Sequence, residues 1–350
     1  MTASPRIQHA SAKDGVHIAY YVIGRGTPLV CLPWGIVSHV ALEWQYREQR
    51  HWWKRLAAGR RIVRLDHRGA GLSDRRAEFT VERGAADIDA VVRKEGLQRF
   101  ALLGQLHSAA PALLYASLHP DRVSRLVLWC GFASYRDFFE SSPPLQAARA
   151  AADKDWHTYT ELIAQLATGW ADLAQARRLA AYLRECATAE HYLRCIDHFR
   201  DVDLTSRLSA LTIPVLVLQR RDAAFPTSDV AKRMASATPG ARLVLLEGSA
   251  IVPFLGDVEA AAAAVDEFLE DADPLARRGG LTDRELEILQ RLAGGYSNRG
   301  IARELAISTR TVERHIGNVY LKIGAHNRAQ ATAYAIHAGL VPGVDTRSTA

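Results

Sequence analysis

The chain contains, at residues 101–129, the stretch ALLGQLHSAAPALLYASLHPDRVSRLVLW. Two short apolar runs in it, residues 101–104 and 126–129, have the length of buried strands, and residues 109–118 between them have the composition of a helix. A strand, a helix and a second strand in this order form the repeating unit of a parallel sheet. The stretch therefore predicts an α/β domain.

The same alternation continues on both sides of this stretch, over residues 1–270. The other predicted strands are 17–22, 29–32, 62–65, 215–218 and 243–246, and further connecting helices are predicted at 81–95, 230–237 and 258–269. Residues 134–208 interrupt the alternation, because they show several consecutive amphipathic helices and no strand. We expect a parallel sheet with helices on both faces and a helical cap at about 134–208.

The positive charge of the chain is concentrated at one end. Residues 271–280, DADPLARRGG, predict a linker because they combine a proline with a glycine pair. From Arg277 onward there are 11 Lys and Arg against 6 acidic residues, whereas the first 276 residues carry 33 against 32. Such an asymmetry favours polyanionic partners for the basic end. Two domains with different partners are predicted, at 1–270 and 281–350.

The composition excludes several classes of protein. With 350 residues, 48% hydrophobic and 23% charged, the chain has the composition of an ordinary globular protein. No apolar run approaches the ~20 residues that span a bilayer, and no signal peptide is apparent, so we expect a cytoplasmic protein without membrane contact. The four cysteines lack the spacing of metal ligands and predict buried thiols. We expect no metal and no cofactor.

Residues 281–341 read LTDRELEILQRLAGGYSNRGIARELAISTRTVERHIGNVYLKIGAHNRAQATAYAIHAGLV. Thr282 and Glu285 form a capping box before a first helix, and Ser297 and Ser308 each precede another. The helix after Ser308 is apolar on one face. Its opposite face carries polar and small residues that are free to enter a major groove, namely Arg310, Glu313, Arg314, Gly317 and Asn318.

This stretch resembles the LuxR/GerE-type DNA-binding domain, in order and without gaps. The matching residues include Leu281, Thr282, Glu285, Leu289, Gly295, Asn298, Ile301, Ala302, Leu305, Ile307, Ser308, Thr311, Val312, His315, Lys322, Ile323, Arg328 and Ala329. The resemblance implies that Glu313, Arg314 and Gly317 enter the groove. It implies phosphate contacts for Ser308, Arg310, Thr311 and Lys322. Members of the family often have Lys at the first and third groove positions, so we expect base recognition to depend on Arg314.

The larger domain resembles the α/β-hydrolase superfamily over about residues 10–270. The resemblance rests on residues 101–129 together with DHRGAGLSDR (66–75), IPVLVLQRRDAAFP (213–226) and ARLVLLEGSAIVP (241–253). Such enzymes place Ser at the centre of GxSxG, an Asp after a later strand and a His after the last. In this chain those positions hold Leu106, Asp222 and Ile251. Two of the three groups have no catalytic chemistry, so the chain is predicted not to be an enzyme.

A shifted register remains open as an alternative. It makes Ser108 the nucleophile, preceded by His107, but still provides no triad histidine. Without that role, Ser108 is expected to be a helix N-cap and His107 a hydrogen-bonded structural residue.

The hydrolase resemblance implies a cavity between the sheet and the cap. Its predicted floor is Leu106, His107, Asp222 and Ile251, and the loop after strand 29–32 adds Trp34, Gly35 and Ile36. Such a pocket suits a small, largely apolar molecule.

The two resemblances together predict a one-component transcriptional regulator. We expect it to be a homodimer that binds double-stranded DNA and a small, largely apolar effector. Two alternatives stay open: an active esterase or lyase fused to a DNA-binding domain, and a hydrolase-fold scaffold that only mediates dimerisation.

Overall fold

A computed structural model describes residues 4–152, 154–270, 281–337 and 340. The chain divides into two compact units, Met1–Asp266 and Glu267–Ala350. The division falls inside the helix Val258–Glu270, a few residues before the predicted boundary at 270. The predicted linker, residues 271–280, lies outside the described residues.

One sheet forms the centre of the first unit. Its eight strands, among the described residues, are β1 to β8: Ile7–Ser11, His17–Gly24, Thr27–Cys31, Arg60–Leu65, Phe100–Gln105, Val123–Trp129, Val215–Arg220 and Arg242–Leu246. They lie in the order β1-β2-β4-β3-β5-β6-β7-β8. The seven strands predicted from apolar runs are all present, which confirms the α/β fold class.

One strand runs against the predicted parallel arrangement, and one strand was not predicted. β3 to β8 pair in parallel, but β2 pairs antiparallel with both β1 and β4. β1 was not predicted, because in Ile7–Ser11 only Ala10 is buried and the apolar signal is weak. A tight turn with Gly15 at φ 85° joins β1 to β2, and such a turn requires antiparallel pairing.

Helices cover the sheet in the first unit. α1 to α3 are Arg47–Leu56, Val81–Lys94 and Ala109–Leu118, and two later helices, α10 and α11, are Ser228–Ala237 and Val258–Glu270. Between β6 and β7 lie six consecutive helices among the described residues, α4 to α9: Tyr135–Glu140, Pro143–Ala152, Trp156–Thr168, Leu173–Cys186, Ala189–Phe199 and Thr205–Leu208. They form the predicted helical cap.

A buried carboxylate fixes two loops at the carboxyl ends of the strands. Asp66, which follows β4, accepts the N–H of Val40 at 2.9 Å and the N–H of Leu72 at 2.9 Å. The carboxylate thereby joins the loop after β3 to the loop after β4. The loop after β3 lines a cavity under the cap and the loop after β4 lines a cleft beside it, so this link helps to position both.

The second unit is a small helical domain. Its described helices, α12 to α15, are Asp283–Ala293, Asn298–Glu304, Thr309–Ile323 and Arg328–His337. The capping box of Thr282 and Glu285 is formed, and Ser297 and Ser308 cap the next two helices as predicted. Their inward faces build one core from Leu281, Ile288, Leu289, Leu292, Ile301, Ala302, Val312, Ile316, Val319, Ala331 and Ala335.

Candidate functional sites

A sharp turn joins β5 to α3 and holds Leu106 in an unusual conformation. Leu106 has φ 50°, in the left-handed region that a leucine rarely adopts. The turn is closely packed, since a Cβ on Gly104 would lie 2.6 Å from the Cβ of Ala112. A strained turn between a strand and a helix is the geometry that presents a nucleophile in hydrolases. Here it presents the side chain of Leu106.

The hydroxyl of Ser108 is directed at backbone groups. Ser108 is fully buried, accepts the N–H of Gln105 at 2.9 Å and donates to the carbonyl of Pro33. It occupies the N-cap position of α3, yet its side chain caps no amide of that helix. The expected N-cap role is therefore replaced by a capping box on the short turn that precedes α3.

A cavity lies above this turn. Its volume is about 30 Å³, which is room for one or two water-sized molecules. The lining residues are mostly apolar or aromatic: Trp34, Gly35, Ile36, Val37, Leu106, His107, Tyr135, Phe138, Phe139, Leu145, Arg149, Tyr159, Ile163, Ala167, Leu183, Tyr192, Ile196, Phe225 and Ile251. Most of them belong to the cap, so the cap helices set the width of this cavity.

The structure brings six of the seven predicted pocket residues to this cavity. Trp34, Gly35, Ile36, Leu106, His107 and Ile251 all line it. Asp222 does not: it lies two residues beyond β7, its side chain is exposed, and its N–H donates to the carbonyl of Gly248 at 3.1 Å. Phe225, three residues later, lines the cavity where the acid was expected.

Two polar side chains in the cavity wall have no hydrogen-bond partner among the described residues. Both ring nitrogens of His107 and Nε1 of Trp34 are buried and unpaired. Three aromatic rings surround the imidazole edge to face, Phe132, Phe138 and Phe199, at centroid distances of 5.4, 5.3 and 5.0 Å. Burial lowers the pKa of His107 to about 3, so the ring is neutral at pH 7. The expected hydrogen-bonded histidine is thus an unpaired one.

The residues that sequence reasoning missed come from the cap. Tyr159 and Tyr192, from different helices, join their hydroxyls at 2.9 Å, and both rings line the cavity. The concentration of aromatic residues in the cap was visible in the sequence. Which helix face they occupy was not, because it depends on how the cap helices pack on one another.

The loop of Ile251 connects the cavity floor to the cap and the sheet. Its N–H donates to the carbonyl of Ala167 in α6 at 2.9 Å, and its carbonyl accepts Nε1–H of Trp129 in β6 at 2.5 Å. Ile251 is therefore held from both sides. The backbone of Ile251 thus links the cavity floor to α6 through a hydrogen bond.

The second candidate site is the exposed face of α14. Arg310, Glu313, Arg314, Gly317 and Asn318 are all exposed, opposite the buried Val312, Ile316 and Val319. Ser308 accepts the N–H of Thr311 at 3.1 Å and so caps the amino end of the helix. Arg314 has no ion-pair partner within the described residues. The predicted groove-entering and phosphate-binding residues at 308–318 thus share one accessible region.

Lys322 is engaged inside this domain. Its Nζ donates to Oε2 of Glu285 at 2.6 Å, and the same oxygen accepts the N–H of Thr282 at 2.8 Å. Burial opposes ionisation of Glu285, but the bonds from Lys322 and Thr282 outweigh it and lower the pKa. The structure therefore gives Lys322 a stabilising contact with the capping box, in addition to its predicted phosphate contact.

Within the described residues, no helix has the length and apolar character needed to cross a membrane. No group of three or more His, Cys, Asp or Glu side chains there is arranged to hold a metal ion. The four cysteines are buried free thiols, as predicted.

Comparison with known proteins identifies the helical domain. A family model described as bacterial regulatory proteins, luxR family, matches residues 280–335. Transcriptional regulatory protein DegU of Brevibacillus brevis is 44% identical over 61 residues, which are 17% of this chain and 26% of that protein. The match thus spans about a quarter of the length of that relative. The predicted LuxR-type helix-turn-helix is confirmed.

The larger domain matches a model described as alpha/beta hydrolase fold over residues 28–256. The esterase RhEst1 from Rhodococcus sp. ECU1013 is 25% identical with a TM-score of 0.66, over 76% of this chain and 99% of that one. The esterase EaEST of Exiguobacterium antarcticum is 21% identical with a TM-score of 0.64, over 75% and 99%. A bromoperoxidase of Bacillus anthracis is 19% identical with a TM-score of 0.64, over 76% and 100%.

These neighbours contradict the prediction that the chain is not an enzyme. The prediction rested on the side chains of Leu106 and Ile251. The chain nevertheless shares its fold with proteins that are esterases, over almost their whole length. Two apolar side chains at expected catalytic positions do not exclude activity in such a fold, and the prediction is withdrawn.

Proposed function

Because the chain belongs to the alpha/beta hydrolase fold family and carries a luxR-family domain at residues 280–335, we propose that it is a transcription regulator that senses a small molecule. The effector binds in the cavity under the cap and changes the affinity of the helix-turn-helix for DNA. The regulator acts as a homodimer, since helix-turn-helix proteins commonly read two half-sites with two copies.

One observation carries the sensing proposal: a largely aromatic cavity wall contains polar groups without a hydrogen-bond partner among the described residues. A buried donor or acceptor without a partner costs about 1–3 kcal/mol, so folded proteins rarely keep one without a reason. The cavity wall keeps His107 and Trp34 in this state. A ligand that satisfies them recovers that free energy on binding.

The wall also defines the chemistry of the effector. Nε1–H of Trp34 can only donate, whereas the neutral ring of His107 donates from one nitrogen and accepts at the other. The rings of Phe138, Phe139 and Phe225, which line the cavity, favour an apolar body. We therefore propose an uncharged, largely apolar effector with one hydroxyl or carbonyl group.

The small volume of the cavity implies that the effector widens it. About 30 Å³ is far below the roughly 300–1,000 Å³ of typical ligand pockets. Because cap helices supply most of the wall, entry of an effector displaces them. An effector that prefers the widened state shifts the population of the two states, which is the requirement for regulation.

For the DNA-binding function, the exposed face of α14 is the supporting feature. Arg314 lies on it without an ion-pair partner among the described residues, and Ser308 caps its amino end. We propose that Arg314 recognises a base and that Arg310 and Thr311 contact phosphates. The same helix face presents Glu313, Gly317 and Asn318 to the groove. Glu313 accepts a hydrogen bond from the amino group of a cytosine or disfavours binding to incorrect sequences.

The sensing proposal is tested by filling the cavity. We expect Leu106→Trp to abolish co-purification of a small molecule, detected by native mass spectrometry of the chain isolated from its host, and to abolish the inducer response of a reporter. Leu118→Trp is the matched control, because Leu118 is 53% exposed on α3. If the wild type carries no small molecule and both variants behave like it in the reporter, the domain is a scaffold for assembly.

An active hydrolase is the second candidate, and the esterases among the structural neighbours favour it. Its test is the hydrolysis of a short-chain aryl ester by the wild type and by Ser108→Ala. Ester turnover that the substitution removes would assign the reaction to Ser108, although its hydroxyl faces the carbonyl of Pro33 in this structure.

A further inference from the structure

A second, strongly basic space lies on the surface of the hydrolase-fold domain. The loop after β4 and the start of α8 enclose a cleft of about 400 Å³, more than ten times the volume of the cavity under the cap. Its lining residues are Gly69, Arg75, Arg76, Thr188, Glu190, His191 and Arg194. None of them lines the cavity, so the cleft is a separate site.

One helix supplies the wall between the two spaces. Tyr192 and Ile196 of α8 line the cavity, whereas Glu190 and Arg194 line the cleft. Residues four apart share a helix face, and a shift of two positions turns the direction by about 200°. The two pairs therefore lie on opposite faces of α8.

The cleft has more positive charge than its own acid can balance. It contains three arginines and one acid, Glu190. Nη1 of Arg194 lies 3.4 Å from Oε1 of Glu190, which accounts for one arginine. Arg76 has no hydrogen-bond or ion-pair partner among the described residues. The remaining charge of the cleft is +2.

Two of the lining groups are held in place by the protein. Nε of Arg75 donates to the carbonyl of Gly71 at 3.0 Å, which fixes the guanidinium and leaves its terminal nitrogens without partners among the described residues. The backbone at Gly69 lies against the ring of His191, since a Cβ there would be 1.9 Å from Cε1. The floor of the cleft is thus built from closely packed groups of two different segments.

The histidine that lines the cleft is buried and lies close to two of the arginines. His191 is 5% exposed, and its Nε2 lies 3.3 Å from Sγ of Cys195. Burial first, and then the charges of Arg194 and Arg75, lower its pKa to about 4. Both arginines therefore act on the same point, and the histidine itself stays neutral at pH 7.

We infer that this cleft binds a small phosphate monoester. A phosphate monoester carries close to two negative charges at pH 7, which matches the net charge of the cleft. Guanidinium groups from separate segments hold phosphate oxygens through paired charge-assisted hydrogen bonds. A volume of about 400 Å³ exceeds what a bare phosphate ion needs and leaves room for an organic body.

The test measures binding of defined probes to the full-length protein without DNA. Isothermal titration compares glucose 6-phosphate, inorganic phosphate and dimethyl phosphate at constant ionic strength. We expect the monoester to bind more tightly than inorganic phosphate, because the latter leaves most of the cleft empty, and the singly charged diester to bind weakest. The double variant Arg75→Ala/Arg194→Ala should weaken the monoester at least about tenfold.

Two controls and an opposite change make the assignment specific. Arg200→Ala, near the other end of α8, and Arg314→Ala, in the DNA-binding domain, should leave the affinity for the monoester unchanged. Glu190→Gln removes the only acid of the cleft and should tighten binding about threefold. By NMR, the pKa of His191 should rise when the monoester is added, since a nearby anion favours the imidazolium.

Several results would overturn the inference. Equal affinity for the monoester and inorganic phosphate would indicate an ion site only. Loss of binding in Arg314→Ala would place it on the DNA-binding face. A double variant that binds the monoester normally but loses affinity for double-stranded DNA would make the cleft part of the DNA-binding surface. Because the cavity is not involved, none of these results depends on the proposed effector.

Discussion

Replacing His107 by Phe should stabilise the free protein and weaken its response to the effector. In the structure the imidazole is 5% exposed, both of its nitrogens are unpaired, and aromatic rings surround it. Phe has the shape that these rings accept and has no polar atom to desolvate. The cavity beside the ring offers about 30 Å³ for the slightly larger side chain.

The magnitude follows from the two unpaired nitrogens. A buried donor and a buried acceptor cost about 1 kcal/mol each at the low end of measured values, and a modest overpacking penalty offsets part of the gain. The net stabilisation is about 1–2 kcal/mol. For a domain of this size, that corresponds to an increase of roughly 2–6 °C in the midpoint of thermal unfolding.

A matched histidine gives the control. His67 is equally buried, at 6% exposure, but its Nε2 lies 2.7 Å from the carbonyl of Gly35. His67→Phe loses this hydrogen bond and leaves the carbonyl unpaired, so we expect it to lower the midpoint. Differential scanning calorimetry of both variants at pH 7.5 provides the measurement. Destabilisation of His107→Phe by as much as His67→Phe would show that His107 is satisfied in the free protein and would refute the reasoning.

Three further outcomes are expected. The free energy of unfolding should fall as the pH is lowered from 6.5 towards 4, because the buried His67, His107 and His191 have folded pKa values of about 3, 3 and 4 and take up protons in the unfolded chain first. At pH 5.5 each histidine lowers the stability by about 1.4 kcal/mol, which urea titration can measure. Arg314→Ala should cost about 1–3 kcal/mol of operator binding and relax the sequence preference, as a gel-shift series over operator variants would show. Lys322→Met should lower the stability of the helical domain by up to about 1 kcal/mol; the loss is small because Lys322 is 38% exposed and solvent screens its bond to Glu285. Hydrogen exchange of the α12 amides should become faster in Lys322→Met and stay unchanged in the control Arg299→Met.

The sequence predicted those strands and helices whose own residues show a clear hydrophobic pattern. Buried parallel strands are continuous apolar runs, so β3 to β8 were visible. β1 and α1 were not, because an edge strand needs few apolar residues and α1 (Arg47–Leu56) is dominated by charged and polar side chains. In α1, Trp52 and Trp53 are the large buried side chains, and two adjacent tryptophans do not show the 3.6-residue repeat of a helix.

Some residues of the candidate sites were also predictable from the sequence, and others were not. Leu106 lines the cavity as expected because it directly follows the end of β5, and Ile251 does so because hydrogen bonds to Ala167 and Trp129 hold its loop against the cap and the sheet. Asp222 was misplaced because the chain still turns after β7 and directs the carboxylate outwards. The arginine cleft was not predicted, since its charges come from segments more than 110 residues apart and meet only when the cap folds onto the sheet.

Part of the positive charge of the DNA-binding domain is engaged in contacts within the domain. Several of these cations stabilise the domain itself: Nη2 of Arg328 donates to the carbonyls of Leu292 and Tyr296, and Nη2 of Arg284 donates to that of Leu305. The exposed arginines without such bonds in the described helices α13 and α14 are Arg299, Arg303, Arg310 and Arg314. Because counterion release scales with the phosphates that are neutralised, we expect these four arginines to account for most of the salt dependence of DNA binding by each copy of the domain. The basic residues that donate to carbonyls at helix ends instead connect α15 with the end of α12 and α12 with the end of α13.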